Sequence, residues 1–212
     1  MSDPYLNGYG NLFPDSNLVS AVFKMLNSGK IDVFPDTKVT KCLDVGCGIG
    51  ANLRFLEYFP NMCYVGVDIS SHATKLAHEQ IIRGGYELRA SIHTGTIEDF
   101  LSSCNEKFDL ILDRASIQHL EVMTNVESGS IFLESLLSRL NTGGVLISLW
   151  AGQLNLDTNK RFSAFSAFES YSTVLQRLSN DMSLTRIVKT RMYDEREEIS
   201  TLEYLVTLVA RS

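Results

Sequence analysis

Three glycines at alternate positions, Gly46, Gly48 and Gly50, follow the short run Cys42-Leu43-Asp44-Val45. The whole stretch, residues 43–53, reads LDVGCGIGANL: the end of an apolar strand, a glycine loop, and the entry to a helix. Glycine permits positive φ angles and close backbone approach, which a turn wrapped around a ligand needs. Three of them also cost chain entropy that a plain strand-to-helix turn would not require. The chemistry on offer is therefore recognition by bare backbone, and two ligand classes compete for it. Gly46, Gly48 and Ala51 fit the loose G-x-G-x-x-G/A pattern of dinucleotide sites, with Asp68, 20 residues beyond Gly48, as a ribose partner.

Asp44 separates the two classes. It lies two residues before the first glycine, at the strand end, where its carboxylate would face the loop. A charge there repels a pyrophosphate and attracts a cation. Two unit charges about 4 Å apart interact by roughly 4 kcal/mol at an effective dielectric near 20. The sign favours a ligand with an ammonium and a sulfonium, S-adenosylmethionine, over NAD.

At this point the residues resemble the class I S-adenosylmethionine-dependent methyltransferases, over about residues 41–150. LDVGCGIG is similar to the family's glycine loop, with Asp44, Gly46, Cys47, Gly48 and Gly50 matching, and Asn52 stands at the loop's exit. The resemblance implies that this loop wraps the amino-acid part of the cofactor. VGVDIS, residues 65–70, resembles the acidic end of the second strand. Asp68 would accept from both ribose hydroxyls, and Ile69 would pack on the adenine. TGTIEDF, residues 94–100, resembles the segment beside the adenine, with the backbone of Ile97 and the side chain of Glu98 or Asp99 as contacts. Many relatives carry Asp where this chain has Thr96. Glu98 and Asp99 would equally serve as first-turn acids that complement a helix dipole. FDLILDRASIQHL and LNTGGVLISLW resemble the fourth and fifth strands with their loops.

The loop after the fourth strand gathers Asp113, Arg114, Ser116, Gln118 and His119. Methyl transfer from a sulfonium is an in-line displacement. The enzyme mainly supplies alignment, exclusion of water and, in some cases, a base. His119 is the candidate base, its ordinary pKa lying near 6.5; its other reading is a residue that orients the loop. Asp113 is a candidate contact for the methionine end of the cofactor. Arg114 is either a surface charge or a site for an anionic acceptor, and joins the cofactor-side candidates. No metal is required.

These residues need a scaffold, and the flanking pattern supplies one. Apolar runs predict strands at residues 42–45, 63–67, 88–93, 108–112 and 145–150, with helical periodicity at 52–58, 72–83, 97–102 and 130–140. Strands that scarcely alternate, interleaved with helices, mark a parallel sheet covered on both faces. Asp15-Ser16 caps a further amphipathic helix that stops near Gly29. After a helix near 168–178, two strand-like stretches, 185–192 and 201–209, predict a final antiparallel pair. The expected fold is an α/β, Rossmann-like doubly wound sheet of about seven strands, mostly parallel with an antiparallel C-terminal strand, in one domain. Residues 1–30 form an arm and helix suited to a lid, residues 41–150 the cofactor core, and residues 151–212 a substrate-side insert and the strand pair. Tyr5, Tyr9, Phe13, Phe162, Phe165, Phe168 and Tyr171 put aromatic rings on the arm and insert.

Composition narrows the function. With 212 residues, 44% hydrophobic and 21% charged, the chain suits one globular domain. Lys and Arg total 19 against 25 Asp and Glu, a net charge of −6, which argues against a surface built for a phosphate backbone. Cys42, Cys47, Cys63 and Cys104 lack zinc spacing and suit a reducing compartment, with Cys42 and Cys63 as core residues. No signal peptide or membrane span is visible, so a cytoplasmic location is expected. GYGNLFPDSNLV, residues 8–19, resembles the entry of small methyltransferases of bacterial surface-carbohydrate and natural-product pathways, which act on hydroxyls. The expectation is O-methylation of a small-molecule acceptor, sugar- or phosphate-containing among the options, with S-adenosylhomocysteine as product. RNA or protein methylation, and a non-catalytic cofactor-binding partner, are the alternatives.

Overall fold

The computed structural model describes residues 13–27, 38–114, 116, 117, 120, 125–153, 182–192 and 202–211. The arm before Phe13, the insert after Gln153 with its aromatic rings, the helix expected at 168–178, and His119 lie outside them.

Five strands form a parallel sheet: β1 (Thr40–Val45), β2 (Met62–Asp68), β3 (Ala90–Thr94), β4 (Phe108–Arg114) and β5 (Leu140–Gln153). Their spatial order is β3-β2-β1-β4-β5. The chain steps outward from β1 to β3, then returns to the other side of β1 with β4. That reversal opens a crevice at the carboxyl ends of β1 and β4, where ligands bind in open α/β sheets. Beyond β5 the order runs through β7 (Leu202–Arg211) to β6 (Met182–Met192), joined by antiparallel ladders.

The central strands are apolar on both faces because each face meets its own core. Cys42, Tyr64, Leu110, Leu112, Val145 and Ile147 pack with Leu18 and Val22 of α1 (Ser16–Asn27), Phe55 and Leu56 of α2 (Phe55–Tyr58), and Ala77 and Ile81 of α3 (Ser71–Gly84). Leu43, Val45, Val67, Ile111 and Leu146 pack with Ile97 and Leu101 of α4 (Ile97–Ser103) and with Leu133, Leu136 and Leu137 of α5 (Val126–Leu137). Cys42 is buried, whereas Cys63, near the start of β2, is half-buried and not the core residue expected.

Several boundaries move for identifiable reasons. The helix expected over 52–58 is a 3-10 turn, Ala51–Arg54, followed by the single turn α2. The tighter turn is common at helix entries, and here Gly50 presses against Ala77 of α3. Leu88, expected in β3, is 99% exposed. It lies in a turn closed by Arg89 N and Ala90 N on Tyr86 O. Helix α5 starts one turn earlier than expected, at the cap Asn125, whose Oδ1 accepts from Glu127 N at 2.8 Å. Its buried stripe is Phe132, Leu133, Leu136 and Leu137, Ile131 is exposed, and Leu140 begins β5 instead of ending the helix.

Gly50 sits at φ 86°, and a Cβ there would lie 2.7 Å from Leu53 Cδ1 and 3.3 Å from Ala77 Cα. Gly50→Ala combines left-handed backbone strain with overpacking against α3. We expect it to cost roughly 1–3 kcal/mol, read as a lower urea midpoint with an unchanged m value.

Candidate functional site

The glycine loop is bent over the end of β2. Gly46 N and Cys47 N both donate to Val67 O, at 2.8 and 3.0 Å. Gly46, Gly48 and Gly50 all have positive φ, and a Cβ at Gly46 would overlap the Ser116 side chain. The loop after β1 is thus in contact with the loop after β4. The Cys47 side chain turns away into the core beside Gly66, and burial pushes its thiol pKa up, so only its backbone lines the loop.

Asp68 ties this loop to the next. Gly48 N donates to its Oδ2 at 2.8 Å and Ser70 N to its Oδ1 at 2.9 Å. Ser70 in turn caps α3, its Oγ accepting from Ala73 N. Ile69, next to Asp68, is a large aliphatic left 74% exposed. Across β3, Ile97 is buried in the core and Glu98 is half-buried. Thr96 caps α4 through Asp99 N at 3.1 Å. Thr and Asp both serve as N-caps, which gives this departure from the family pattern a structural reason.

Asp44 is deeper than expected, at 1% exposed. Its Oδ2 accepts from Asn52 Nδ2 at 3.0 Å and from the Tyr64 hydroxyl. Burial raises its pKa to about 7; Tyr64 and Asn52 pull it down, and the charges of Asp113 and Asp68 push it up again. Asp113, fully buried at the end of β4, accepts from Ser116 N at 2.9 Å, Ile117 N at 3.0 Å and the Ser148 hydroxyl. Burial raises it to about 6 against those hydrogen bonds. Among the described residues, both carboxylates are held by neutral donors. Arg114, the adjacent cation, faces Asp15 at the start of α1, 3.5 Å away. Among the described residues no group of His, Cys, Asp and Glu is arranged to hold a metal, and no helix is long and apolar enough to cross a membrane.

The structure therefore gathers Asp44, Gly46, Gly48, Asn52, Asp68, Asp113 and Arg114 around the crevice, with Ile69, Ile97 and Glu98 along its β2–β3 side. Tyr64 and Ser148 escaped the sequence reading. Tyr64 carried a signal: a tyrosine inside a buried apolar strand needs a partner for its hydroxyl.

Residues 36–188 match the family model described as a methyltransferase domain. The chain belongs to this family. It is an S-adenosylmethionine-dependent methyltransferase, with S-adenosylmethionine as cofactor. Solved structures repeat the fold. A S-adenosylmethionine-dependent methyltransferase from Clostridium acetobutylicum aligns at TM-score 0.61 and 16% identity, covering 94% of this chain and 93% of its own. Magnesium protoporphyrin IX methyltransferase from Synechocystis, with S-adenosylmethionine bound, aligns at TM-score 0.59 and 18% identity over 92% of this methyltransferase and 78% of that chain. The StiE O-MT aligns at TM-score 0.62 and 14% identity, over 92% and 73%. At such identities the likeness is one of fold. A search of curated proteins finds no match.

The raised pKa values have a sign that stability can read. Asp44 and Asp113 ionise in the unfolded chain near 3.8 but in the folded one only near 7 and 6. Their contribution is fully present below the unfolded value and is lost as pH rises through 6 and 7. We expect the ligand-free methyltransferase to melt at lower temperature at about pH 8 than at about pH 5.5. Asp44→Asn should flatten that dependence, because both existing hydrogen bonds fall on one oxygen that an amide can supply. Thermal unfolding across this pH range checks it.

Proposed function

We propose that this methyltransferase carries a methyl group to a hydroxyl of a small-molecule acceptor, with sugar- and phosphate-containing metabolites as the first compounds to try. The observation that carries the cofactor half is the pair of buried carboxylates, Asp44 and Asp113, held by neutral donors at the crevice. Bound there, S-adenosylmethionine supplies a methyl group already activated on a sulfonium. The chain's part is to hold, align and dry it.

In this reading the loop Gly46–Gly48, Asn52 and Asp44 hold the amino-acid end. Asp68, already oriented by Gly48 N and Ser70 N, accepts from the ribose, and Ile69 offers an apolar surface to the adenine. Ile97 contributes backbone and Glu98 a polar edge. Asp113 and Arg114 lie toward the methionine end and the acceptor, and His119 takes the acceptor's proton. The acidic balance, net charge −6, supports a small acceptor over RNA.

Calorimetry tests the cofactor half. S-adenosylhomocysteine should bind and NAD should not; NAD binding alone would reject the site assignment. An acceptor screen with labelled methyl donor tests the other half, and label in RNA or protein in place of small hydroxyls would overturn it. For His119→Ala we expect turnover to fall about 10²–10⁴-fold with cofactor affinity unchanged. Equal turnover removes His119 from the reaction.

A further inference from the structure

Asp44 takes both of its hydrogen bonds on the same oxygen. Tyr64 and Asn52 donate to Oδ2, and no donor among the described residues reaches Oδ1. A carboxylate only accepts, so Asn52 must turn its Nδ2 toward Asp44. That leaves Asn52 Oδ1 buried with no hydrogen-bond partner, on a residue 6% exposed. Two acceptor atoms are thus left unbonded, on two groups already bonded to each other, next to the glycine loop. A group that satisfies both must donate more than one hydrogen and need accept none, which is the chemistry of an ammonium.

We propose that Tyr64 is a positioning residue for the ammonium end of the cofactor: its buried hydroxyl, with the Asn52 amide, pins Asp44 by one oxygen, and Asp44 Oδ1 and Asn52 Oδ1 together form an ammonium clamp. This rests on the cofactor placement given above. Strand register explains how Tyr64 reaches its partner. Cys42 pairs with Tyr64 and Asp44 with Gly66, so Tyr64 and Asp44 are diagonal neighbours on one face of the pleat. Gly66, directly beside Asp44, has no side chain to intervene. The groups that act on the Asp44 charge are Tyr64 and Asp68 from β2, Asp113 from β4, Cys42 from β1, Cys47 from the loop and Asn52 from the 3-10 turn.

The test is calorimetry on the full chain with two probes. S-adenosylhomocysteine carries the amino-acid tail, whereas methylthioadenosine has the same nucleoside thioether without it. Tyr64→Phe keeps the ring and removes only the hydroxyl. We expect it to weaken S-adenosylhomocysteine about tenfold, to leave methylthioadenosine unchanged, and to move upward the pH below which S-adenosylhomocysteine binding is lost. Equal weakening of both probes, or no weakening of either, overturns the proposal. Should Tyr64→Phe fail to fold, Asn52→Ala carries the same expected split between probes and the same overturning outcomes. Wild-type protein that binds neither probe rejects the cofactor placement itself, and the clamp with it. Wild-type binding with an unsplit variant rejects the clamp alone.

Discussion

Two buried carboxylates with no cation bonded to them among the described residues are the constraint around which this protein is arranged. Asp44 is the last residue but one of β1 and Asp113 the last but one of β4, and Val45 pairs directly with Asp113 across the two strands. Taking a carboxylate out of water is costly unless it is paired or hydrogen-bonded. Here the hydrogen bonds come from a phenol, an amide, a serine hydroxyl and two backbone amides, none of which carries charge. The result, among the described residues, is a pair of carboxylates with no cation bonded to them, at the place where the sheet topology opens a crevice.

The same strand shows what balance looks like. Asp109, at the other end of β4, is also buried, yet Lys38 Nζ reaches it at 2.7 Å, Lys41 N at 2.9 Å and Asn141 Nδ2 at 2.9 Å. Burial works against its ionised form, and these partners together still hold its pKa below the usual carboxylate value. One edge of the sheet therefore carries a carboxylate paired with a lysine, and the opposite edge two whose described partners are all neutral. Strand parity places the latter pair on opposite faces. Asp44 shares the face of Cys42 and Tyr64, whereas Asp113 shares that of Ile111 and pairs in register with Ser148. A ligand in the crevice is bracketed by negative charge from both layers.

Much of this was readable from residues 43–53 and 65–70, because the glycine loop and the acidic strand ends are local in sequence and their chemistry is set by residue type. The parallel five-strand sheet was readable too, since β1 and β4 are apolar on both faces and only a doubly covered sheet demands that. What sequence hid was mostly tertiary. The depth of Asp44 depends on Tyr64, 20 residues away and brought alongside by register. The start of α5 is set by the cap at Asn125, ahead of the run of leucines, while Leu133, Leu136 and Leu137 still face the core. Leu88 looked like a strand residue, but the turn on Tyr86 O claimed the adjoining backbone amides first.

These two carboxylates also couple binding to stability. Charge that the ligand-free protein pays to bury is relieved when a cation enters, so any ligand that neutralises it stabilises the fold by mass action. The relief is unequal for donor and product. S-adenosylmethionine carries a net positive charge at neutral pH, and S-adenosylhomocysteine carries none. Carboxylates acting across a low-dielectric crevice distinguish those two ligands by Coulomb attraction, with no difference in shape required. With the cofactor placed as proposed, the same arrangement would hold the reactive form more firmly than the spent one, and the burial of Asp44 would strengthen that discrimination whenever Asp44 is ionised.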